Sequence, residues 1–303
     1  MIRMAPLLAS QPRLEKICKD WKNRFLPSCF TTFSFKSNEN DSINEFHEKA
    51  NDLEYLIKLC GSNLTYLNVT QYPISQIMPI INANCPNLET LYLEFKEIMS
   101  QDFENVFSNM SHLRVLWIEW DCGSLTLPMT LAKSLEQIGG TLESLELSCC
   151  FARNYIFLPD SSASVFPRLI ALNSLTIRNI GLSQLLLQSI GEIKNLANLK
   201  LTFRWQEHHP MFDMRINMYP IGNLKNLKKD LQIIGTYITD IGMSAIDNLQ
   251  QLEDFGLGLT YLPSKNNEFI TDESMQCLFN PKLQSLHISN CIQITDKGKY
   301  TGN

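Results

Sequence analysis

The chain has 303 residues, 44% of them hydrophobic and 19% charged, with a formal net charge of -5. That balance supports an ordinary packed core without the help of metals or bridges. Mild acidity with no long run of one sign excludes the basic footprint of a nucleic-acid binder, and no apolar stretch reaches the roughly 18 residues that span a bilayer.

The N-terminal stretch Ala5 to Ala9 is broken by Pro6 and is too short for a secretory leader. Residues 1–60 are expected to form a helical cap, and 61–303 a repeat domain. Within the cap, Arg13 to Lys22 reads as an amphipathic helix with Leu14, Ile17, Cys18 and Trp21 on its apolar face. From residue 64 a hexad Leu-x-x-Leu-x-(Leu/Ile/Val) recurs: Leu64 to Val69, Leu88 to Leu93, Leu113 to Ile118, Leu142 to Leu147, Leu172 to Ile177 and Leu196 to Leu201. Leu252 to Leu257 and Leu283 to Ile288 follow the same rule. A degenerate copy sets Leu231 and Ile233 on the last two positions, with Lys228 where the first Leu belongs.

Spacings of 24 to 32 residues between hexads are those of a leucine-rich repeat with loop insertions. Alternation within each hexad sends the leucines to one face of a short strand and the intervening residues to the other. Between hexads, the runs Ile74 to Ala83, Gln101 to Met110, Met129 to Gly139, Leu182 to Lys194, Ile241 to Leu249 and Asp272 to Leu278 place apolar residues at helical spacing. The expected fold is therefore an α/β leucine-rich-repeat solenoid of about nine repeats. It is a curved right-handed stack with parallel strands on the concave face and helices on the convex face.

Three details carry a resemblance. Cys85-Pro86-Asn87-Leu88-Glu89 precedes a strand, Ile-Thr-Asp recurs at 238–240, 270–272 and 294–296, and Cys150 and Cys291 stand eight residues after Leu142 and Leu283. This wording resembles the cysteine-containing repeats of F-box/LRR proteins, and Arg13 to Lys22 looks like the closing helix of an F-box. An amphipathic cap over the first repeat explains Leu14, Ile17, Cys18 and Trp21 equally well. The family's earlier F-box helices have no room before Leu14, so the resemblance implies docking on a Skp adaptor only where a complete F-box exists. At the far end, Ile294 to Gly298 opens another helical arm and the sequence stops five residues later, an arrangement expected to leave core exposed.

What the resemblance implies is the substrate-recognition part of a Skp-cullin-F-box ubiquitin ligase, acting in ubiquitin-dependent protein catabolism. A free-standing interaction scaffold is the alternative, and an extracellular receptor a third reading. Four Asn-x-Ser/Thr triplets, at Asn40, Asn63, Asn68 and Asn109, would serve that third reading but are common by chance. Nine scattered cysteines without a Cys-x-x-Cys pair read as buried thiols of a reducing compartment, the cytoplasm with the nucleus also open.

No catalytic motif is present, so neither an enzyme nor a cofactor is expected. Glu207-His208-His209 is the one ligand-like cluster, and it lacks a third ligand at metal spacing. Vicinal Cys149 and Cys150 point to opposite sides of a strand, one to the core and one to a surface turn. Neither membrane nor nucleic acid is an expected partner. Function then falls to the outward side chains of the strands: Tyr66, Asn68, Tyr92, Glu94, Trp117, Glu119, Glu146, Arg178, Lys200 and His287. Tyr92 and Trp117 are expected as neighbours about 5 Å apart across strands. With the surrounding glutamates they have the composition of a protein-binding patch suited to a basic segment.

Overall fold

A computed structural model describes residues 31–38, 41–121, 128–149, 158–203, 217–235, 238–258, 266–276, 278 and 280–296. Ten strands form one wholly parallel sheet: β1 (Thr32–Lys36), β2 (Tyr66–Ile74), β3 (Thr90–Glu97), β4 (Val115–Trp120), β5 (Ser144–Cys149), β6 (Ser174–Arg178), β7 (Asn198–Thr202), β8 (Asp230–Ile234), β9 (Asp254–Gly258) and β11 (Ser285–Ser289). Within this sheet the strands lie in sequence order, with β10 (Asn267–Thr271) alone passed over between β9 and β11, the signature of a solenoid in which every repeat touches only its neighbours. The protein is thus an α/β leucine-rich-repeat solenoid. β10 and β12 (Cys291–Gln293) make a separate two-stranded parallel sheet near one end.

Register explains why the leucines recur. Leu67, Leu91, Leu116, Leu145, Leu175, Leu199, Leu231, Phe255 and Leu286 are successive cross-strand partners, and all but the last are buried. Two residues on, Val69 through Leu257 form a second buried column, and Tyr72, Phe95, Trp120 and Cys149 a third over the first four repeats. Each buried leucine contributes about 1.5–3 kcal/mol of transfer energy, and only a stacked neighbour can provide that burial.

A second row ties the repeats together at the entrance to the strands. The carbonyl of Thr65 accepts from the N–H groups of Glu89 and Thr90, that of Glu89 from Arg114 and Val115, and that of Arg114 from Glu143 and Ser144. The same forked pattern continues through Glu143, Asn173 and Ala197, and again at Glu253. Just upstream, the side-chain amides of Asn87, Asn195 and Asn226 donate to carbonyls of the preceding repeat, those of Ser62, Ile170 and Lys194.

Opposite the sheet lie one long helix, α1 (Ile43–Cys60), and the short helices α2 (Met78–Asn84), α3 (Met129–Leu135), α4 (Gln184–Ile190), α5 (Asp240–Ile246) and α6 (Asp272–Gln276). Two of the Ile-Thr-Asp triplets do open helical arms. Thr239 caps α5 through its side chain, accepting from the Gly242 N–H, and Asp272 is the first residue of α6. The arms pack so tightly that a side chain at Gly191 would meet the Pro220 carbonyl, a close approach open only to glycine.

Several expectations need correction. Gln101 to Met110 is not an α-helix but a 3₁₀ turn, Ser100–Phe103, followed by turns. Asn105 adopts a left-handed conformation (φ 54°) that breaks helical continuation, and the side-chain oxygens of Gln137 and Asn82 accept from the Phe107 and Asn109 N–H groups in place of helical carbonyls. The apolar residues Phe103, Val106, Phe107 and Met110 are nevertheless all buried, as their spacing implies. In the degenerate repeat the first-leucine slot is filled by Leu227, fully buried, and Lys228 is an extra exposed residue. The forked ladder accordingly splits there, with Glu253 bonding to Lys228 and Asp254 to Lys229.

Residues 1–60 hold the long helix α1, whose N-terminus carries a capping box between Ser42 and Glu45. They also hold a strand, β1, which extends the sheet by one. Cys149 is buried as expected, yet it is disulfide-bonded rather than a thiol, to a partner outside the described residues. Cys85 and Cys291 are thiols. The amphipathic stretch Arg13 to Lys22, Cys150, the Glu207-His208-His209 cluster and the end of the last Ile-Thr-Asp arm lie outside the described residues.

Candidate functional site

Strand alternation that buries the leucines turns the residues between them outward. The middle outward column runs Ser34, Asn68, Tyr92, Trp117, Glu146, Thr176, Lys200, Gln232, Gly256 and His287, each the register partner of the next. Column positions lie about 4.8 Å apart across the sheet, and residues two apart on one strand about 7 Å.

The structure brings seven of the expected residues together on β2 to β5. Tyr66, Tyr92 and Trp117 form a continuous run of rings, 5.7 Å between the first two centroids and 5.3 Å between the second pair, the latter edge to face at 87°. Asn68 precedes this run in the column and Glu146 follows it. One pleat further along the strands, Glu94 and Glu119 are direct register partners. Like charges facing each other across a sheet repel, and the arrangement persists only because the packing of the leucine columns fixes the register.

The electrostatics reflect that crowding. The Glu94 carboxyl is pushed above its usual range by partial burial first and then by Glu119, while the Gln71 backbone N–H opposes the shift by hydrogen-bonding to it. Gln71 can reach because it sits in a left-handed bulge (φ 55°) where β2 slips against β3. Glu146 is also raised, mainly by burial, with Arg178 pulling the other way. Its Oε1 lies 3.3 Å from Arg178 Nε, close enough for an ion pair but outside hydrogen-bond geometry. Asn68 Oδ1 and Trp117 Nε1 are likewise occluded without a hydrogen-bond partner. An occluded polar atom left unpaired costs about 1–3 kcal/mol, a cost that the packing of the surrounding rings and columns offsets here.

The remaining expected residues sit elsewhere on the face. Arg178 is joined to the cluster through Glu146. Lys200 is occupied by Asp230, at 2.7 Å. His287 is separate, exposed on β11 and 2.9 Å from the Ser285 hydroxyl, three strand spacings or about 14 Å beyond Lys200.

Three further residues belong to this surface: Lys36, which influences Glu94 from β1, and Gln71 and Asp230. The alternation Thr32-Phe33-Ser34-Phe35-Lys36 was the available signal for β1. Nothing in the sequence marks the bulge at Gln71.

Among the described residues, no group of three or more His, Cys, Asp or Glu is arranged to hold a metal ion, and no helix is long and apolar enough to cross a membrane. No family model matches the chain, and no curated protein does. Among solved structures the chain is similar to that of the Rad7 and Elc1 complex in yeast, at 16% identity and a TM-score of 0.40, over 98% of this chain and 86% of that one.

Proposed function

We propose that this solenoid binds another protein on its concave face, and that it does so as the substrate-recognition part of a Skp-cullin-F-box ubiquitin ligase, without chemistry of its own. The observation that supports protein binding is the unbroken run Tyr66, Tyr92 and Trp117 flanked by Glu94, Glu119 and Glu146 on one rigid sheet. Rigid aromatics inside a polar rim concentrate binding energy at low entropic cost. The ligase link is supported by the resemblance of Cys85 to Glu89 and of the helix-opening Ile-Thr-Asp triplets to F-box/LRR repeats, and by the F-box-like wording of Arg13 to Lys22.

Co-expression of the full-length gene product with a Skp adaptor, followed by size-exclusion chromatography, tests the link. Co-elution that is lost in Trp21→Ala is the expected result. Separate elution of a folded chain removes the ligase reading and leaves the free-standing scaffold.

A further inference from the structure

The concave face divides by charge. On β6 to β8 the two cations are already engaged, Arg178 with Glu146 and Lys200 with Asp230. On β2 to β5, Glu94 and Glu119 stand face to face one pleat from the aromatic run, and Glu94 also feels Asp121. We infer that this β2 to β5 corner seats an arginine-bearing segment of the partner protein, which rests on the reading that the concave face binds protein.

Two features of the corner favour arginine. A guanidinium is flat, so it stacks on Trp117 or Tyr92 in a way an ammonium does not. From that position its forked N–H groups point along the strand direction toward carboxylates about 7 Å away, the spacing from Trp117 to Glu119 and from Tyr92 to Glu94. An acidic partner segment would meet Glu94 and Glu119, and a purely apolar one would leave both carboxylates desolvated.

Fluorescence anisotropy of the full chain with a labelled Arg-Gly repeat peptide, beside matched Lys-Gly and Glu-Gly peptides, tests the inference. The expected result is Arg-Gly bound more tightly than Lys-Gly and Glu-Gly not bound. Glu94→Gln and Glu119→Gln should each weaken Arg-Gly binding roughly tenfold, and Trp117→Ala should abolish the preference for arginine over lysine. Glu192→Gln, a charge change after α4 on an exposed residue outside the sheet, should do nothing. Equal binding of Arg-Gly and Lys-Gly, or equal losses from Glu192→Gln and Glu94→Gln, would overturn the assignment. Co-elution with the Skp adaptor, measured on the same variants, is independent of this corner. Its retention alongside failed peptide binding discards the arginine site alone, and its loss alongside intact peptide binding discards the ligase reading alone.

Discussion

Leu116 and Leu286 occupy the same place in their repeats, yet Leu116 is 1% exposed and Leu286 37%. The difference lies in what flanks them. Leu116 has Leu91 on one side and Leu145 on the other, whereas among the described residues Leu286 pairs across the sheet with Phe255 alone. At the opposite end, β1 and α1 do for the first repeat what neighbours do in the middle. Phe33 and Phe35 extend the two core columns, and Leu53 and Ile57 of α1 are fully buried. In a one-dimensional stack, a residue's energetic weight is set by its position along the stack more than by its identity.

That contrast is open to attack at several strengths. Leu116→Ala should cost about 3 kcal/mol in denaturant unfolding, whereas Leu286→Ala should cost less than about 1 kcal/mol. Equal losses would mean the stack does not transmit burial as described. At the N-terminal end, Ser42→Ala removes the capping box of α1 and should lower stability by about 1 kcal/mol, read in the same unfolding curves. An unchanged midpoint would show that α1 is held by its packing alone.

The surface of the middle repeats should respond in the other direction. Because the fold raises the Glu94 carboxyl, its charged form opposes folding, and stability rises as pH falls through that raised value. Glu94→Gln should therefore slightly raise the melting temperature at neutral pH, and the gain should vanish in acid where Glu94 is protonated. The smallest effect is at Asp41, held down to about 2 chiefly by Lys49 and the Asn38 N–H. Its contribution is present above the ordinary carboxylate range and is lost as pH falls toward 2. In Lys49→Met, the Asp41 titration followed by NMR should move back up toward about 4.

The hexads predicted the sheet because burying leucines at period two leaves the register no freedom. The same logic placed Tyr92 beside Trp117 on neighbouring strands, as the structure has them. It failed at β1, whose Phe33 and Phe35 lack the leading Leu-x-x-Leu, although their alternation was visible. At Lys228, the Asn226-Leu227 pair, matching Asn87-Leu88 and Asn195-Leu196, was the overlooked sign of where the repeat begins. For Phe103 to Met110, helical spacing predicted burial but not backbone, because Asn105 breaks the helix and the side-chain oxygens of Gln137 and Asn82 then satisfy the Phe107 and Asn109 N–H groups. The disulfide at Cys149 was not legible, since alternation gives direction and not chemistry. The ion pairs of Arg178 and Lys200 run diagonally between adjacent strands, so a reading of each column by itself misses them.

The forked carbonyl row has its own consequence for how the protein breathes. Amides such as those of Glu89, Arg114 and Glu143 lie just outside the strands, yet each is anchored to the repeat before it. In deuterium exchange they should behave as interior protons, releasing only when neighbouring units part company. Where the row splits, Glu253 and Asp254 each have a carbonyl of their own, at Lys228 and Lys229, so the change of pattern there should cost no protection, and exchange should begin instead at the exposed end beyond β9.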